Sequence, residues 1–566
     1  MMMLAPQEFD PRWSTAVPDW EDRIRQRRSL IPDLPLFDAV AEKALRIFKR
    51  LRVPDIIGTP TYGEACDAWV FDFVRAVFGS YDPDTKRRML QEFFLLVPKK
   101  NGKTSIAAAI IVTAAIMNER PEAELLLIAP TQEVANIAFK QARGIIKLDP
   151  ALDAIFHIQD HLKKITHKNS GAEIAVKSSD TGTITGVKAT YILIDETHEF
   201  AKKSSASDVF TELRGALAAR PDGFLMQIST QSKQQPAGVF RAELLKARSV
   251  RDGNLRSRML AVLYELPKSM SAKEGWRDPA TWPMVNPNYG RSVNPNFLSE
   301  KLAEAEQKGK DELALFASQH FNVEIGVGLS IDSWIGAQYW AACAEPGLTL
   351  AALLQRCDVV TIGIDGGGTD DLLGFAVIGR EIGTRRWLIW THAWAQPEVL
   401  ERRKEIAEQL RDYERDGDLT ICTSSSQGHQ EVALRVKEIF ETGLLPEESA
   451  VGLDHGQVAP ILDELAKLDL EGPLLAGIRQ GGGLRGPIWN MEFKLKGLAA
   501  IHGGQPMMNW VVGNAKAQQV GSMVVIEKVA AGKAKIDPLI AIFNAAELMG
   551  RNPVASRAAA FEYTGM

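Results

Sequence analysis

Apolar residues along this chain fall into short continuous runs separated by polar, helix-forming stretches. Residues 93–97, 125–128, 191–194 and 224–229 are such runs. A strand buried on both faces reads as an unbroken apolar run rather than an alternation. Strands alternating with helices imply a mostly parallel sheet covered on both faces. Ahead of them, Trp69, Phe71, Phe73, Val77 and Phe78 recur at apolar spacing before Gly79 and predict a helix. Residues 1–50 carry helical spacing with a mixed-charge face. Around 245–335 the pattern breaks at Pro279, Pro283, Pro287 and Pro295, and 297–319 reads as one or two charged amphipathic helices. A second α/β pattern starts near 358, with strands at 359–364, 373–378 and 387–390 in an antiparallel meander. A short strand at 451–453 and a helix over 536–549 follow. The expected organisation is a helical lead-in over 1–50, an α/β domain over 51–245, a linker subdomain over 246–335, a second α/β domain over 336–552 and a loosely ordered tail over 553–566.

The bulk numbers fit this picture. At 566 residues the chain exceeds one ordinary core. It is 45% hydrophobic and 24% charged, as expected of a soluble globular protein. Its longest apolar stretch, 106–117, is too short to span a bilayer, so no membrane role is expected. The N-terminus, Met-Met-Met-Leu-Ala-Pro-Gln, lacks the order of a signal peptide. Cys66, Cys343, Cys357 and Cys422 are scattered with no Cys-x-x-Cys pair, which argues against disulfide staples and structural zinc and fits a reducing cytosol. The net charge of −5 gives no global basic field, and the basic clusters at 23–28, 86–88 and 402–404 read by default as solvated faces.

The chemistry begins at Val97-Pro98-Lys99-Lys100-Asn101-Gly102-Lys103-Thr104. It follows an apolar strand and opens the helix-forming run 105–117, the order of a phosphate-binding P-loop. Lys99, Lys100, Asn101, Gly102 and Ser105 would help present backbone N–H groups to the phosphates, aided by the helix N-terminus. Lys103 would reach the β/γ-phosphates of ATP and the Thr104 hydroxyl would ligate Mg²⁺. The first glycine of the usual motif is Val97 here. An ordinary strand-to-helix turn is the bland alternative. The apolar strand 191–194 then ends in Asp195-Glu196. Ligands of open α/β sheets gather at strand carboxyl ends, so Asp195 is placed to hold Mg²⁺ and Glu196 to activate the attacking water.

The second domain carries three placed acids. Asp365 ends the first strand of the meander before Gly366–Gly368, Asp454 ends the strand 451–453, and Asp537 opens the last helix with Pro538 in its first turn. This is the carboxylate arrangement of an RNase H-like fold, in which paired metal ions (Mg²⁺, with Mn²⁺ an option) serve phosphodiester cleavage. Asp365 as a turn acid and Asp537 as a helix cap are the alternatives. Asp463 and Asp358 compete with Asp454, and Asp370 and Asp371 are also within reach of the turn. Asp-Gly-Gly-Gly-Thr also looks like the phosphate hairpin of sugar-kinase-like ATPases.

Taken together, the motifs resemble those of the large terminase subunit of tailed bacteriophages, over about residues 69–549. Trp69 to Gly79 resembles its adenine-side segment, with Val70 where glutamine is usual. Ala129-Pro130-Thr131-Gln132, Asp195-Glu196-Thr197-His198 and Ile228-Ser229-Thr230-Gln231 resemble further ATPase motifs, the last sensing the γ-phosphate through Thr230. Asn286-Pro287, the run from Trp510 to Asn514 and Lys535-Ile536-Asp537 are similar to the family as well. The resemblance implies a RecA/ASCE-like P-loop domain followed by an RNase H-like nuclease domain. It implies catalytic roles for Glu196, Asp365, Asp454 and Asp537, with Thr104, Asp195 and the three nuclease acids as metal ligands. It also implies double-stranded viral DNA, a small terminase subunit and a portal protein as partners, and a homo-oligomeric ring of five. Action in the host cytoplasm, transiently at the procapsid portal, follows. The resemblance also implies a trans-acting arginine from the neighbouring subunit, a role for which Lys188, Arg214 and Arg220 are the candidates. A helicase-like translocase shares the ATPase motifs, but it would carry a second RecA-like domain instead of the carboxylate set. Intact Lys103, Thr104, Asp195 and Glu196 argue against a non-enzymatic scaffold.

Overall fold

The computed structural model describes residues 10–178, 187–203, 205–271, 273–325, 334–368, 370–454, 459–520, 523–528 and 535–556. The chain forms two compact units, Met1–Ile325 and Gly326–Met566.

The first unit is built on one eight-stranded sheet. In chain order its strands are β1 (Glu92–Leu96), β2 (Glu124–Ala129), β3 (Phe156–Gln159), β4 (Lys164–His167), β5 (Glu173–Ser178), β6 (Ala189–Asp195), β7 (Phe224–Ser229) and β8 (Met259–Leu263). They lie in the order β8-β1-β7-β6-β2-β5-β4-β3. The pairs from β8 through β5 are parallel, and only β5-β4-β3 turn antiparallel. The strands β6 and β7 are buried along their whole length, which explains their continuous apolar runs. Phe93 and Phe224 meet edge to face at 5.9 Å between β1 and β7. The helices α1 (Ala68–Gly79) and α2 (Lys103–Met117) pack into the same core.

Two features depart from the sequence reading. β8 lies inside the stretch expected as a linker, yet it pairs with β1 in parallel register. The basic cluster at 86–88 is not simply a solvated face. Arg88 is buried, donates to the carbonyls of Asp222 at 2.8 Å and Val77 at 2.5 Å, and lies over the Phe224 ring.

The second unit has a seven-stranded mixed sheet. Its strands are β9 (Cys357–Gly366), β10 (Leu372–Glu381), β11 (Trp387–Ala395), β12 (Leu419–Ile421), β13 (Val451–Asp454), β14 (Leu475–Ile478) and β15 (Ala500–His502). β9, β10 and β11 form an antiparallel meander, and β13 joins β9 in parallel, followed by β14. This is the RNase H-like arrangement, not a second RecA-like parallel sheet.

The last helix, here α5 (Asp537–Gly550), lies on β9 and β10 because two glycines let it approach. A Cβ on Gly363 would meet the Ala541 carbonyl oxygen at 2.0 Å, and one on Gly374 would meet the Pro538 backbone at 2.7 Å. That contact fixes the N-terminus of α5 over the ends of the strands. Gly363→Ala should therefore destabilise the second unit by about 1–3 kcal/mol or more, the range for overpacking. The loss should appear as a lowered unfolding transition in a thermal melt of the full chain, with the ATPase activity retained.

Candidate functional site

In the first unit, the Val97 N–H donates to the Ser229 carbonyl at 3.1 Å, which keeps the chain in line with β7 as it leaves β1. The loop then turns through left-handed backbone at Lys100 (φ 72°) and Gly102 (φ 74°), and α2 begins at Lys103. Lys103 Nζ lies 2.9 Å from Glu196 Oε1. The Thr104 hydroxyl donates to Asp195 Oδ2 at 2.9 Å. The strand carrying the acids, β6, is not the neighbour of β1, since β7 runs between them. Glu196 itself is left-handed (φ 53°), a conformation that costs a non-glycine residue of order 1 kcal/mol and turns the chain sharply at the strand end.

The two acids differ. Burial, then the adjacent Glu196 carboxylate, pushes the Asp195 carboxyl up to about 6, against the pull of Lys103 and Thr104. Burial acts in the same upward sense on Glu196, but Lys103 and then His198 outweigh it and hold Glu196 below the usual carboxylate range. Glu196 is thus kept ionised, as a proton acceptor must be. His198 Nδ1 lies 3.3 Å from the second oxygen of Glu196 and 3.2 Å from the Ser229 hydroxyl.

The loop is clamped from outside by Asn286 and Trp69, which the sequence marked, and by Asn288, which it did not. Asn101 Nδ2 donates to Asn286 Oδ1 at 2.9 Å, and the Asn288 N–H donates to Asn101 Oδ1 at 3.0 Å. Asn288 Nδ2 donates to the Asn101 carbonyl at 2.9 Å, and Trp69 Nε1 donates to Asn288 Oδ1 at 2.8 Å. The polar contact of the Trp69–Val70 segment therefore comes from Trp69, while Val70 is core. The only sequence signal for Asn288 is a polar pair straddling Pro287.

The loop is also tied to β7 and the residues that follow it. The Thr230 hydroxyl donates to the Val97 carbonyl at 3.2 Å. The Lys99 N–H donates to the Gln319 carbonyl at 2.9 Å, and Gln319 Nε2 donates to the Gln231 carbonyl at 2.9 Å. Gln319 belongs to α3 (Lys310–Phe321). The Lys99 amine is half-buried, and burial, then Lys233, holds its pKa down. Lys100 is held through its carbonyl by the Ser292 hydroxyl at 2.5 Å. The Ser105 hydroxyl is engaged by Tyr62 at 2.7 Å and Gln141 at 3.2 Å, so it serves the scaffold. Among the trans-acting candidates, Arg214 is taken by Glu92 at 3.0 Å and Glu243 at 2.6 Å within its own chain.

In the second unit, β9 and β13 run parallel with Ile364 opposite Leu453, so Asp365 and Asp454 leave neighbouring strands side by side. Asp537 opens α5 against them, and a Cβ on Gly366 would meet Asp537 Cβ at 3.2 Å. The three acids line one cavity of about 180 Å³ with Asp371 and His429. Asp371 accepts from the buried Lys535 at 2.8 Å. The competitors lie elsewhere: Asp358 binds Arg380 at 2.9 Å at the start of β9, Asp370 is bound by Arg403 at 3.0 Å, and Asp463 lies outside the cavity lining. His429, whose pKa burial lowers, is a lone histidine that no sequence signal marks.

Both sites offer what a hard divalent cation requires, oxygen donors and no sulfur. Among the described residues, no three of His, Cys, Asp and Glu are drawn close enough to hold one ion as they stand. Acids around one cavity repel one another until a cation neutralises them.

A family model of the terminase large subunit ATPase domain matches residues 70–239, and one of its endonuclease domain matches 263–551, more than half of the chain. The chain belongs to the terminase large subunit family. It is accordingly a packaging-motor subunit with ATPase and endonuclease activity, and a helicase-like translocase is set aside. The large terminase subunit of Enterobacteria phage HK97 is 24% identical over 490 residues, covering 85% of this chain and 88% of the relative. Protein YmfN of Escherichia coli K12 is 21% identical over 373 residues, covering 62% and 76%. The crystal structure of the HK97 large terminase aligns with a TM-score of 0.43 at 20% identity, over 89% of this chain and 99% of that one. Among the described residues, no helix is long and apolar enough to cross a membrane.

The Asn101 clamp gives this family member a testable feature. Asn101→Ala leaves Asn286 and Asn288 buried without their partner, at about 1–3 kcal/mol for each unsatisfied group. Calorimetric titration with ATP should show weakened binding, and a melt of the same sample should show lowered stability.

Proposed function

We propose that Lys103, Thr104, Asp195 and Glu196 form the ATP-hydrolysing centre, and that Asp365, Asp454 and Asp537 form the DNA-cutting centre. The observation that carries the first assignment is the pair of contacts Lys103–Glu196 and Thr104–Asp195 across the intervening strand. When ATP enters, Lys103 exchanges its carboxylate partner for the β/γ-phosphates. Glu196 is released to accept a proton from the water, whose oxygen bonds to the γ-phosphorus as the bond to the β–γ bridging oxygen breaks and ADP leaves. The loop N–H groups around 99–105 hold the phosphates, and Thr230 ties the γ-phosphate end of the site to the loop. A Mg²⁺ ion held by Thr104 and Asp195 would neutralise charge on the phosphates.

In the second centre, Asp365 and Asp454 reach the cavity from adjacent strands and Asp537 from the helix above. Mg²⁺ or Mn²⁺ bound there would supply Lewis acidity at the scissile phosphodiester. Lys535 holds Asp371 at the rim and restrains the turn that follows Asp365. The first centre hydrolyses ATP, and the second cuts the double-stranded viral DNA that the first moves. The small terminase subunit, the portal protein and a ring of five copies complete the assembly, in the host cytoplasm at the procapsid. Domain limits near 51, 336 and 552 follow the same reading, whereas the expected limit at 246 falls inside the first domain, because β8 lies beyond it.

Glu196→Gln should retain ATP binding and lower turnover by ~10²–10⁴-fold, the usual range for loss of a general base. Phosphate release with DNA present reads the effect, and near-normal hydrolysis would refute the role. Asp365→Ala and Asp537→Ala should each abolish cleavage of supercoiled DNA in Mg²⁺ or Mn²⁺ and leave the ATPase intact. A variant at Asp365 that loses ATP turnover but still cuts DNA would transfer that acid to nucleotide binding.

A further inference from the structure

The turn that leaves β14 carries two arginines that the sites above do not use. β14 runs beside β13 with Ile478 opposite Asp454, so Arg479 stands one residue beyond the level of that acid. The chain then makes a tight turn through Gly481–Leu484 and enters α4 (Arg485–Lys496).

This turn is held rigidly to the cavity. Gln480 Nε2 donates to Asn544 Oδ1 at 3.0 Å, and Asn544 Nδ2 donates to the Ile364 carbonyl at 2.9 Å. Ile364 is the residue before Asp365, and Asn544 is fully buried. Gly483 is folded beneath Arg479, since a Cβ there would meet Arg479 Cβ at 2.5 Å. Both arginines are exposed. Among the described residues of the second unit, every other arginine has an ion-pair, hydrogen-bond or electrostatic partner; Arg479 and Arg485 have none. The two unpaired guanidiniums flank a pinned turn, and each matches the bidentate geometry of phosphate.

We propose that Arg479 and Arg485 hold the phosphate backbone of the DNA duplex beside the carboxylate cavity, a reading that rests on Asp365, Asp454 and Asp537 being the nuclease acids. They act as positioning residues. Phosphate contacts fix register without reading sequence, so their contribution is the same for every duplex.

The test is equilibrium binding of a fluorescent duplex to the full chain without divalent metal, over a range of salt. Each phosphate contact contributes a slope of about 0.9 in log K against log salt, or roughly eightfold in affinity at 0.1 M relative to 1 M. The double variant Arg479→Gln/Arg485→Gln should flatten the slope by about 1.8. It should raise KM for cleavage, leave kcat at saturating DNA unchanged, and leave DNA-free ATPase unchanged. Arg479→Lys/Arg485→Lys, which keeps both charges, should restore most of the slope. An unchanged slope and KM in the Gln variant would overturn the proposal, and so would a fall in kcat with the slope intact. Cleavage surviving in Asp365→Ala is a different result, which removes the nuclease reading itself.

Discussion

The contact between the buried Lys103 and the half-buried Glu196 is the constraint on which the first unit's site depends. A lysine and a glutamate taken out of water are costly unless each satisfies the other, and breaking such a pair is worse than never forming it. To meet, the P-loop and the end of β6 must reach across β7. That requirement explains the left-handed backbone at Lys100, Gly102 and Glu196. It also explains why the loop is bound on its far side by Asn286, Asn288 and Trp69. The intervening strand is itself engaged: Ser229 and Thr230 hold both backbone groups of Val97. The loop is thus joined to the end of β7 and, through Gln231 and Gln319, to α3.

The second unit solves a related problem by different means. Its acids must stand close together although they repel. The parallel register of β9 and β13 places two of them, and glycines at 363 and 374 let α5 deliver the third. Backbone register and close packing thus bring the three acids to one cavity, although they repel one another.

Much of this was legible in the sequence, for physical reasons. The strands β1, β2, β6 and β7 are buried on both faces and therefore announce themselves as apolar runs. Gly-Lys-Thr, Asp195-Glu196 and Asp537-Pro538 sit at element boundaries where local rules are strong. The strands β3 to β5 were hidden because they are short and partly exposed, with polar residues such as His157, Lys164 and Glu173. β8 was hidden because it is a short apolar run behind the polar, basic stretch 246–258. The clamp of Asn286 and Asn288 and the bond from Gln319 are long-range contacts, and no local pattern encodes them. Burial likewise gave no local warning at Arg88, which stands in a charged run but packs on an aromatic ring.

The two proposed centres put two separate metal-dependent phosphate chemistries on one chain, one at each set of strand ends. Anomalous diffraction from crystals grown with Mn²⁺ and a non-hydrolysable ATP analogue tests this arrangement most directly. Manganese peaks should appear between Thr104 and Asp195 beside the phosphates, and within the cavity of Asp365, Asp454 and Asp537. Manganese at the first position, with nucleotide phosphates instead of metal against Asp365, would contradict it.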